Sequence, residues 1–328
     1  MPLPSSSPPT ATVRWLRGQL HLHSSGSGDS HTHPDDVVAW YASKGYDFIV
    51  FTDHNRVTIP SPPANGMLVF PGVELTQNLR KCEPEPEPGN RCLLHVNGLF
   101  VTGGPWIVWP EPLPTRRVDI YARALDVTAK MGGIAVINHP NFHYAASTAV
   151  VIELARKGAK LLEIANEAID SNNEGDARHP STEQIWDAVL SSGATMWGVA
   201  SDDAHHYNDA AEVTARGEKA YVGDRGFVMV HARKEPASIR EAIEQGAFYA
   251  SNGVLLDRVE VVDGALQVAV AASAPGVHRF RFVGAGGKVL GEAQGRSAEA
   301  RLPASGYVRV VVQDEQGRKA WVQPHKLH

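Results

Sequence analysis

Apolar and polar positions along the chain alternate with two different periods. From Leu16 to about Ala250, short apolar runs rich in β-branched residues alternate with amphipathic stretches of helical period, which is the pattern of βα units. Strands are predicted over residues 20–23, 47–54, 67–75, 95–101, 134–139, 160–166, 195–200 and 227–231. Helices are predicted over residues 34–45, 117–131, 148–157, 181–193 and 236–245. Since no GxGxxG turn follows any of these strands, the pattern favours an α/β fold with a TIM-like barrel over a doubly wound sheet.

The period changes near Gly253. Beyond it, short alternating segments separated by turn signals such as Asp263-Gly264 predict a small all-β unit, a sandwich. The sequence therefore predicts three parts: a flexible N-terminal segment over residues 1–15, the barrel over 16–252 and a C-terminal β-sandwich-like module over 253–328.

Composition and charge exclude two classes of partner. The 328 residues are 43% hydrophobic and 20% charged, as in ordinary globular chains. The formal net charge of −5 gives no positive field for a polyanion, so we expect no nucleic acid as partner. No apolar run approaches the roughly 18 residues that cross a bilayer, so we expect no membrane partner. Composition predicts no oligomeric state.

The compartment stays open at this stage. The N-terminal stretch MPLPSSSPPTATVRW has no signal-peptide pattern, yet such a stretch also remains after an export signal has been removed. Cys82 and Cys92, the only cysteines, flank an acidic loop. A disulfide between them would indicate an oxidising compartment, whereas two free thiols would suit the cytosol equally well. The chain is therefore expected to be either cytoplasmic or exported.

Histidines and carboxylates occur in clusters at the ends of the predicted strands. In a (β/α) barrel the carboxyl ends of the strands meet on one face, so these clusters are expected to lie together in space. His95 is the exception, since it begins its predicted strand. The clusters are His21-Leu22-His23, Thr52-Asp53-His54, Gly72-Val73-Glu74, His95-Val96-Asn97, Asn138-His139-Pro140 and Ser201-Asp202-Asp203-Ala204-His205.

The spacing within these clusters indicates a metal site. His21 and His23 are two residues apart, so on a strand both imidazoles point to the same face, and Asp203 and His205 repeat this spacing. Imidazole and carboxylate ligands suit zinc, manganese or iron, and the lack of thiolates argues against a closed structural zinc site. Glu74 has two oxygens with which to bridge two ions, an arrangement used in hydrolysis.

The motifs HLHSSGSGD, GYDFIVFTDHN, GVEL, HVN, NHP and SDDAH, in this order over residues 18–210, resemble the polymerase and histidinol phosphatase (PHP) family. The resemblance implies a distorted (β/α)7 barrel and metal-dependent hydrolysis, usually of phosphoesters, at a centre of two or three divalent ions. It implies three ligand sets, which are His21, His23, Glu74 and Asp203 for the first ion, Asp29, His54 and His139 for the second, and Glu74, His95 and His205 for the third.

Asp29 stands where many members of the family have a histidine. A carboxylate there favours manganese or iron at the second site somewhat more than a histidine would, and the metal stays open between zinc, manganese and iron. His31 and His33 follow Asp29 closely and are alternative ligands. The segment GAFYASNG and the β-module after it also resemble a PHP subgroup that includes carbaryl hydrolase, which cleaves an aryl N-methylcarbamate.

Further residues are candidates for supporting roles. Asp203, His206 and Arg56 are the candidate catalytic residues, with Arg56 expected to bind a substrate anion because a guanidinium forks onto phosphate oxygens. A rim histidine or a surface arginine without function is an equal alternative for His206 and Arg56. The candidates for orienting ligands or contacting substrate are Asp53, Asn55, His143 and Asp202.

The sequence thus predicts a metal-dependent hydrolase of a small-molecule ester, most simply a phosphomonoester or phosphodiester, with a metal-bridging water or hydroxide as nucleophile. One alternative is a carbamate or carboxylic ester hydrolase of the carbaryl hydrolase type. The other alternative is a non-catalytic, metal-binding accessory protein.

Overall fold

The computed structural model describes residues 12–61 and 63–326, and this part of the chain is mostly β, with 17 strands and six α-helices. Most of the predicted flexible segment, residues 1–11, lies outside the described residues. The strands are β1 Arg14–Gln19, β2 Phe48–Val50, β3 Leu68–Phe70, β4 Gly72–Leu79, β5 Cys92–Leu99, β6 Ile134–Ile137, β7 Leu161–Asn166, β8 Trp197–Ser201, β9 Phe227–Ala232, β10 Phe248–Ser251, β11 Leu256–Val262, β12 Ala265–Val270, β13 His278–Gly284, β14 Lys288–Gly295, β15 Ser297–Arg301, β16 Val308–Gln313 and β17 Lys319–His325. The helices are α1 Pro34–Ser43, α2 Arg117–Lys130, α3 Thr148–Arg156, α4 Thr182–Ser191, α5 Ala210–Ala215 and α6 Pro236–Gln245.

The strands form three sheets, and the prediction of a TIM-like (β/α)7 barrel is wrong. A nine-stranded sheet has the order β14-β13-β16-β17-β10-β9-β1-β2-β3, a five-stranded sheet has the order β4-β5-β6-β7-β8, and a three-stranded sheet has the order β11-β12-β15. Residues 12–61 and 63–326 contain no closed barrel. Strand pairs are parallel only within β1-β2-β3 and β6-β7-β8, whereas a barrel of βα units would be parallel throughout.

Pro71 explains part of this departure. The single predicted strand over residues 67–75 is two strands, β3 and β4, which lie in different sheets on either side of Pro71. Proline has no N–H to donate to a ladder, so it favours a break in the strand. β4 then pairs antiparallel with β5 through a loop, with no helix between them.

The nine-stranded and five-stranded sheets share an apolar core. Side chains of β1, β2, β9 and β10 pack there against side chains of β5 to β8. Helices α2, α3 and α4 cover the outer face of the five-stranded sheet, and α1 packs on β2, β3 and β9 of the nine-stranded sheet. Ser181 and Gln184 form the predicted capping box at the start of α4. Two sheets with helices on their outer faces therefore build the part of the molecule that carries the histidines.

The C-terminal strands are joined by hydrogen bonds to the part of the chain before residue 253. The three-stranded sheet packs on β13, β16 and β17 as one half of a sandwich, but β17 pairs with β10, which pairs with β9. One sheet thus crosses the predicted boundary at residue 252. Arg309 on β16 is buried and binds Asp187 on α4 in a bidentate ion pair, with both N–O distances 2.7 Å.

Cys82 and Cys92 form a disulfide that closes the acidic loop between β4 and β5. Of the two alternatives left open by the sequence, the bridge is therefore the one observed, and disulfides are typical of proteins in oxidising compartments. Within the described residues, none of the helices has the length and apolar character needed to cross a membrane.

Candidate metal centre

The predicted ligands come together where the two larger sheets meet. His21 and His23 lie just beyond β1, whose end is fixed by Gln19, because its Oε1 accepts hydrogen bonds from the backbone N–H of Leu20 and His21. Both imidazoles are fully buried. The segment then pairs with the chain after β8, where the N–H of Asp203 donates to the carbonyl of His21 at 3.0 Å.

An isolated β-bridge between His54 and Glu74 also joins the two sheets. His54 follows β2, and Glu74 lies within β4 with only 1% of its surface exposed. His139 follows β6, and His95 lies within β5. The ends of several strands thus deliver imidazoles and carboxylates to one buried region.

Three groups of these side chains could each hold a metal ion. Within each group the potential ligand atoms all lie within 4.8 Å of one another. His23 belongs to two of the groups and His21 to two, so the groups are neighbours rather than separate sites. They are His23, Asp29, His54 and His205; His21, His23 and Asp203; and His21, Glu74 and His139.

These groups differ in part from the three sets that the family resemblance implied. Asp29 lies near His54, as expected, with 3.0 Å between its Oδ2 and His54 Nε2, but His205 joins them in place of His139. His139 instead faces Glu74, with 3.4 Å between Nε2 and Oε1. His95 also faces Glu74, at 3.0 Å from its Nδ1 to Oε1.

Unpartnered buried atoms fit a bound cation. His21 Nε2, His95 Nε2 and Glu74 Oε2 are buried and have no hydrogen-bond partner in the described part of the chain. His54 Nδ1 lies 2.7 Å from Glu74 Oε2, but without hydrogen-bond geometry. Buried polar atoms are nearly always paired, so three such atoms in one cluster of ligand-type side chains agree with metal binding.

The protonation states suit metal ligands only in part. Burial, followed by the charges of His205 and His54, lowers the pKa of His23 to about 4, so this imidazole is neutral and free to coordinate. Burial acts to raise the pKa of Asp203, but nearby histidines, His21 first, outweigh it and keep the carboxylate ionised. For His54, burial lowers the pKa, but Glu74 and Asp29 together raise it to about 10, so a proton occupies His54 when no cation is bound.

Glu163, which the sequence reasoning missed, supports two of the ligands. Its Oε1 accepts a hydrogen bond from His21 Nδ1 at 2.7 Å, and its Oε2 accepts one from the backbone N–H of His139 at 2.6 Å. Asn166 donates to Glu163 at 3.0 Å and to Asp203 at 3.2 Å. The signal was present, since a glutamate in the middle of the fully buried strand LLEIAN needs a polar partner.

Asp53 orients other parts of the site without joining a ligand group. It accepts hydrogen bonds from the hydroxyls of Ser24, Ser27 and Thr58. Ser27 in turn lies 3.0 Å from His23 Nδ1 and accepts the N–H of His54 at 2.9 Å. The predicted role of Asp53 in orienting an imidazole therefore acts through Ser27.

Asn55 and Asp202 bind backbone near the site. Asn55 exchanges two hydrogen bonds with the backbone of Thr76, at 2.9 and 3.1 Å. Asp202 accepts from the hydroxyl of Tyr41 and from the N–H groups of residues 224–226, so it faces away from the ligand groups that Asp203 joins.

The other predicted supporting residues lie in different places. His206 lines the metal cavity, and its Nδ1 accepts the N–H of Tyr221 at 3.1 Å, so its second ring nitrogen carries the proton in the neutral form. Arg56 does not line this cavity, and its guanidinium lies 5.1 Å from the ring centroid of Trp106. His143 lines a neighbouring cavity.

The metal cavity has a volume of about 420 Å³. Most of the candidate ligands and a small apolar wall line it, whereas His21 and His23 are fully buried and do not. Leu93, Phe142 and Ala168 form that wall, and no lysine or arginine of the described residues lines the cavity. Asp170 stands at its side and accepts a hydrogen bond from the hydroxyl of Tyr221 at 2.9 Å. The cavity is large enough for a small ligand.

A comparison of the sequence with models of known protein families and with curated proteins gave no match.

Proposed function

We propose that this protein is a metal-dependent hydrolase of small esters, most simply a phosphoesterase, and that it is related to the PHP family. The observation that carries the proposal is a set of three adjacent ligand groups, linked because His23 belongs to two of them and His21 to two, with their other members lining one cavity. Ions bound at neighbouring sites would activate water and neutralise charge on an ester. The order of the sequence motifs supports the relationship. The three sheets, however, do not form the closed barrel that the resemblance to the family implied.

The protein's own residues have defined tasks in this proposal. Glu74 lies between His54, His95 and His139, and its two oxygens can serve two neighbouring ions. Glu163 fixes the ring of His21. His206 presents a ring N–H, which can donate a hydrogen bond to a leaving oxygen and so stabilise the charge that develops there.

A second candidate, hydrolysis of a neutral carbamate or carboxylic ester, is favoured by the lining of the cavity. Without lysine or arginine among the described lining residues, only the metal ions would offset a dianionic phosphate, and Asp170 adds a further negative charge. The apolar side chains Leu93 and Phe142 suit an uncharged leaving group. The two candidates differ in the charge of the group that is attacked.

Metal content and hydrolysis should be measured on the same protein. We expect at least about two ions per chain after purification without chelator, and hydrolysis of p-nitrophenyl phosphate, bis-p-nitrophenyl phosphate or 1-naphthyl N-methylcarbamate. His21→Ala and Glu74→Ala should lose both metal and turnover, whereas His31→Ala, an exposed histidine outside the ligand groups, should keep them.

The outcomes separate the candidates. Preference for a phosphate substrate supports the phosphoesterase, and preference for the carbamate supports the second candidate. Retained hydrolysis in metal-free His21→Ala protein contradicts both. A full complement of ions with no hydrolysis of any substrate supports a non-catalytic accessory protein.

A further inference from the structure

A second cavity of about 440 Å³ lies beside the metal cavity, separated from it by the turn after β6. Phe142 lines the metal cavity, and the next residue, His143, lines the second one. The disulfide loop forms another wall, with Pro84, Glu85 and Glu87. This cavity contains none of the metal ligands.

Arg117, which lines this cavity, is a buried cation without a counter-ion. Only 6% of its surface is exposed, and within the described residues no carboxylate oxygen lies within 4.0 Å of its guanidinium. Its Nη1 donates to the carbonyls of Tyr144 and Ala145, but its buried Nε has no hydrogen-bond partner there. A buried charge of this kind is costly unless an opposite charge compensates it.

The location of Arg117 in its own helix increases this cost. It is the first residue of α2, and the residue before it, Arg116, caps the helix without a side-chain hydrogen bond. The N-terminus of a helix carries a partial positive charge, which disfavours cations. An anion beside Arg117 would compensate both the guanidinium and the helix end.

The first turn of α3 faces the same cavity. Ser147, Thr148 and Ala149 line it, and the side chain of Ser147 makes no capping hydrogen bond. The first N–H groups of a helix have no acceptor within the helix, so together with the helix dipole they form a site for an anion.

The acidic residues of the cavity do not occupy this position. Glu87 is paired with Arg178 at 3.0 Å and with His179 at 3.2 Å, and Glu85 is exposed on the disulfide loop. The charge of Arg117 is therefore left for a ligand.

We propose that this second cavity binds the oxyanion of a small molecule, a phosphate or carboxylate group, between the guanidinium of Arg117 and the first turn of α3. A guanidinium binds such groups through paired, charge-assisted hydrogen bonds. The inference does not depend on the proposed hydrolysis, since it uses no metal ligand.

The test is isothermal titration of the metal-loaded protein with inorganic phosphate and, separately, with succinate. Arg117→Met should weaken one binding event by at least about tenfold, because a charge-assisted hydrogen bond is lost. Arg116→Met is the matched control, since Arg116 precedes Arg117 but is exposed and does not line the cavity, so its affinities should equal those of the wild type. Binding at the metal centre is common to all variants and drops out of the comparison.

A second variant keeps the test decisive if Arg117→Met does not fold. Ala149→Glu places a carboxylate in the exposed first turn of α3, where negative charge stabilises the helix, yet it should repel the ligand and weaken the same binding event by at least about tenfold. Weaker binding of a probe to the variant than to the wild type supports the proposal. The probe that binds the wild type more tightly then identifies the bound group as a phosphate or a carboxylate. Unchanged affinities in Ala149→Glu, or no binding of either probe to the wild type outside the metal centre, would overturn it.

Discussion

Replacing Glu163 by glutamine tests whether a residue outside the ligand groups controls metal binding. Four donors face the two oxygens of this carboxylate, from the side chains of His21, Ser201 and Asn166 and the backbone N–H of His139. Burial acts to raise the pKa of Glu163, but the charge and hydrogen bond of His21 outweigh it and lower the pKa, so the group is an ionised acceptor.

Glutamine has almost the same shape but only one acceptor oxygen. Whichever way the amide of the glutamine is turned, its NH₂ group replaces one of the two carboxylate oxygens and faces hydrogen-bond donors. The hydrogen bonds that this oxygen accepted are therefore lost. Loss of a partner that orients a metal-bound histidine typically weakens metal affinity or activity by about 10–100-fold, which corresponds to about 1.4–2.7 kcal/mol. A buried donor left without an acceptor also costs about 1–3 kcal/mol of folding stability.

The assay is a competition titration with a metal chelator, followed on the wild type, Glu163→Gln and Glu167→Gln. Glu167 is a suitable control because it lies near Glu163 in the chain but binds Asn252, and it does not line the metal cavity. We expect weaker metal binding in Glu163→Gln alone, with a circular dichroism spectrum like that of the wild type. Equal metal affinity of a folded Glu163→Gln protein would refute the role assigned to Glu163.

Two further predictions concern stability and protons. Arg309→Met should lower the free energy of unfolding by about 3–5 kcal/mol, because it leaves the buried Asp187 charge unpaired; urea denaturation measures this, with the exposed Arg279→Met as a control expected to lose less than about 1 kcal/mol. Metal loading at pH 7 should release protons and should become tighter as the pH rises, because nearby carboxylates raise the pKa of His54 to about 10 against the opposing effect of burial. Calorimetry in buffers of different ionisation enthalpy measures this release, and metal binding with no proton uptake by the buffer would contradict the assignment of His54.

The sequence contained most of the candidate site because each ligand has a local signature. His21 and His23 carry the spacing of side chains on one face of a strand, and His54 and His139 follow apolar runs. The grouping of these ligands was predicted less well. Whether His205 or His139 lies near Asp29 depends on loops that approach each other only in three dimensions, and local spacing does not encode that approach.

The arrangement of the strands was harder to predict than their existence. Periodicity identifies a strand by its own side chains, but the partner of a strand is chosen by contacts far away in the sequence. Pro71 is the one local signal of the change of sheet, since it divides a single apolar run between two sheets. β10, which was not predicted, carries the hydrogen bonds that connect the C-terminal strands to the rest.

The candidate ligands come together although the predicted barrel is absent, and both findings have the same explanation. A ligand at the end of a strand reaches the site if that strand points toward the line where the two sheets meet. This does not require the strands to form a closed, fully hydrogen-bonded barrel. Here the isolated bridges Leu22–Ala204 and His54–Glu74 hold the two sheets together at that line. Both bridges lie at or next to proposed ligands, so the backbone contacts that align the sheets also fix the distances between imidazoles and carboxylates. The ligand geometry therefore requires this local junction and not a complete barrel.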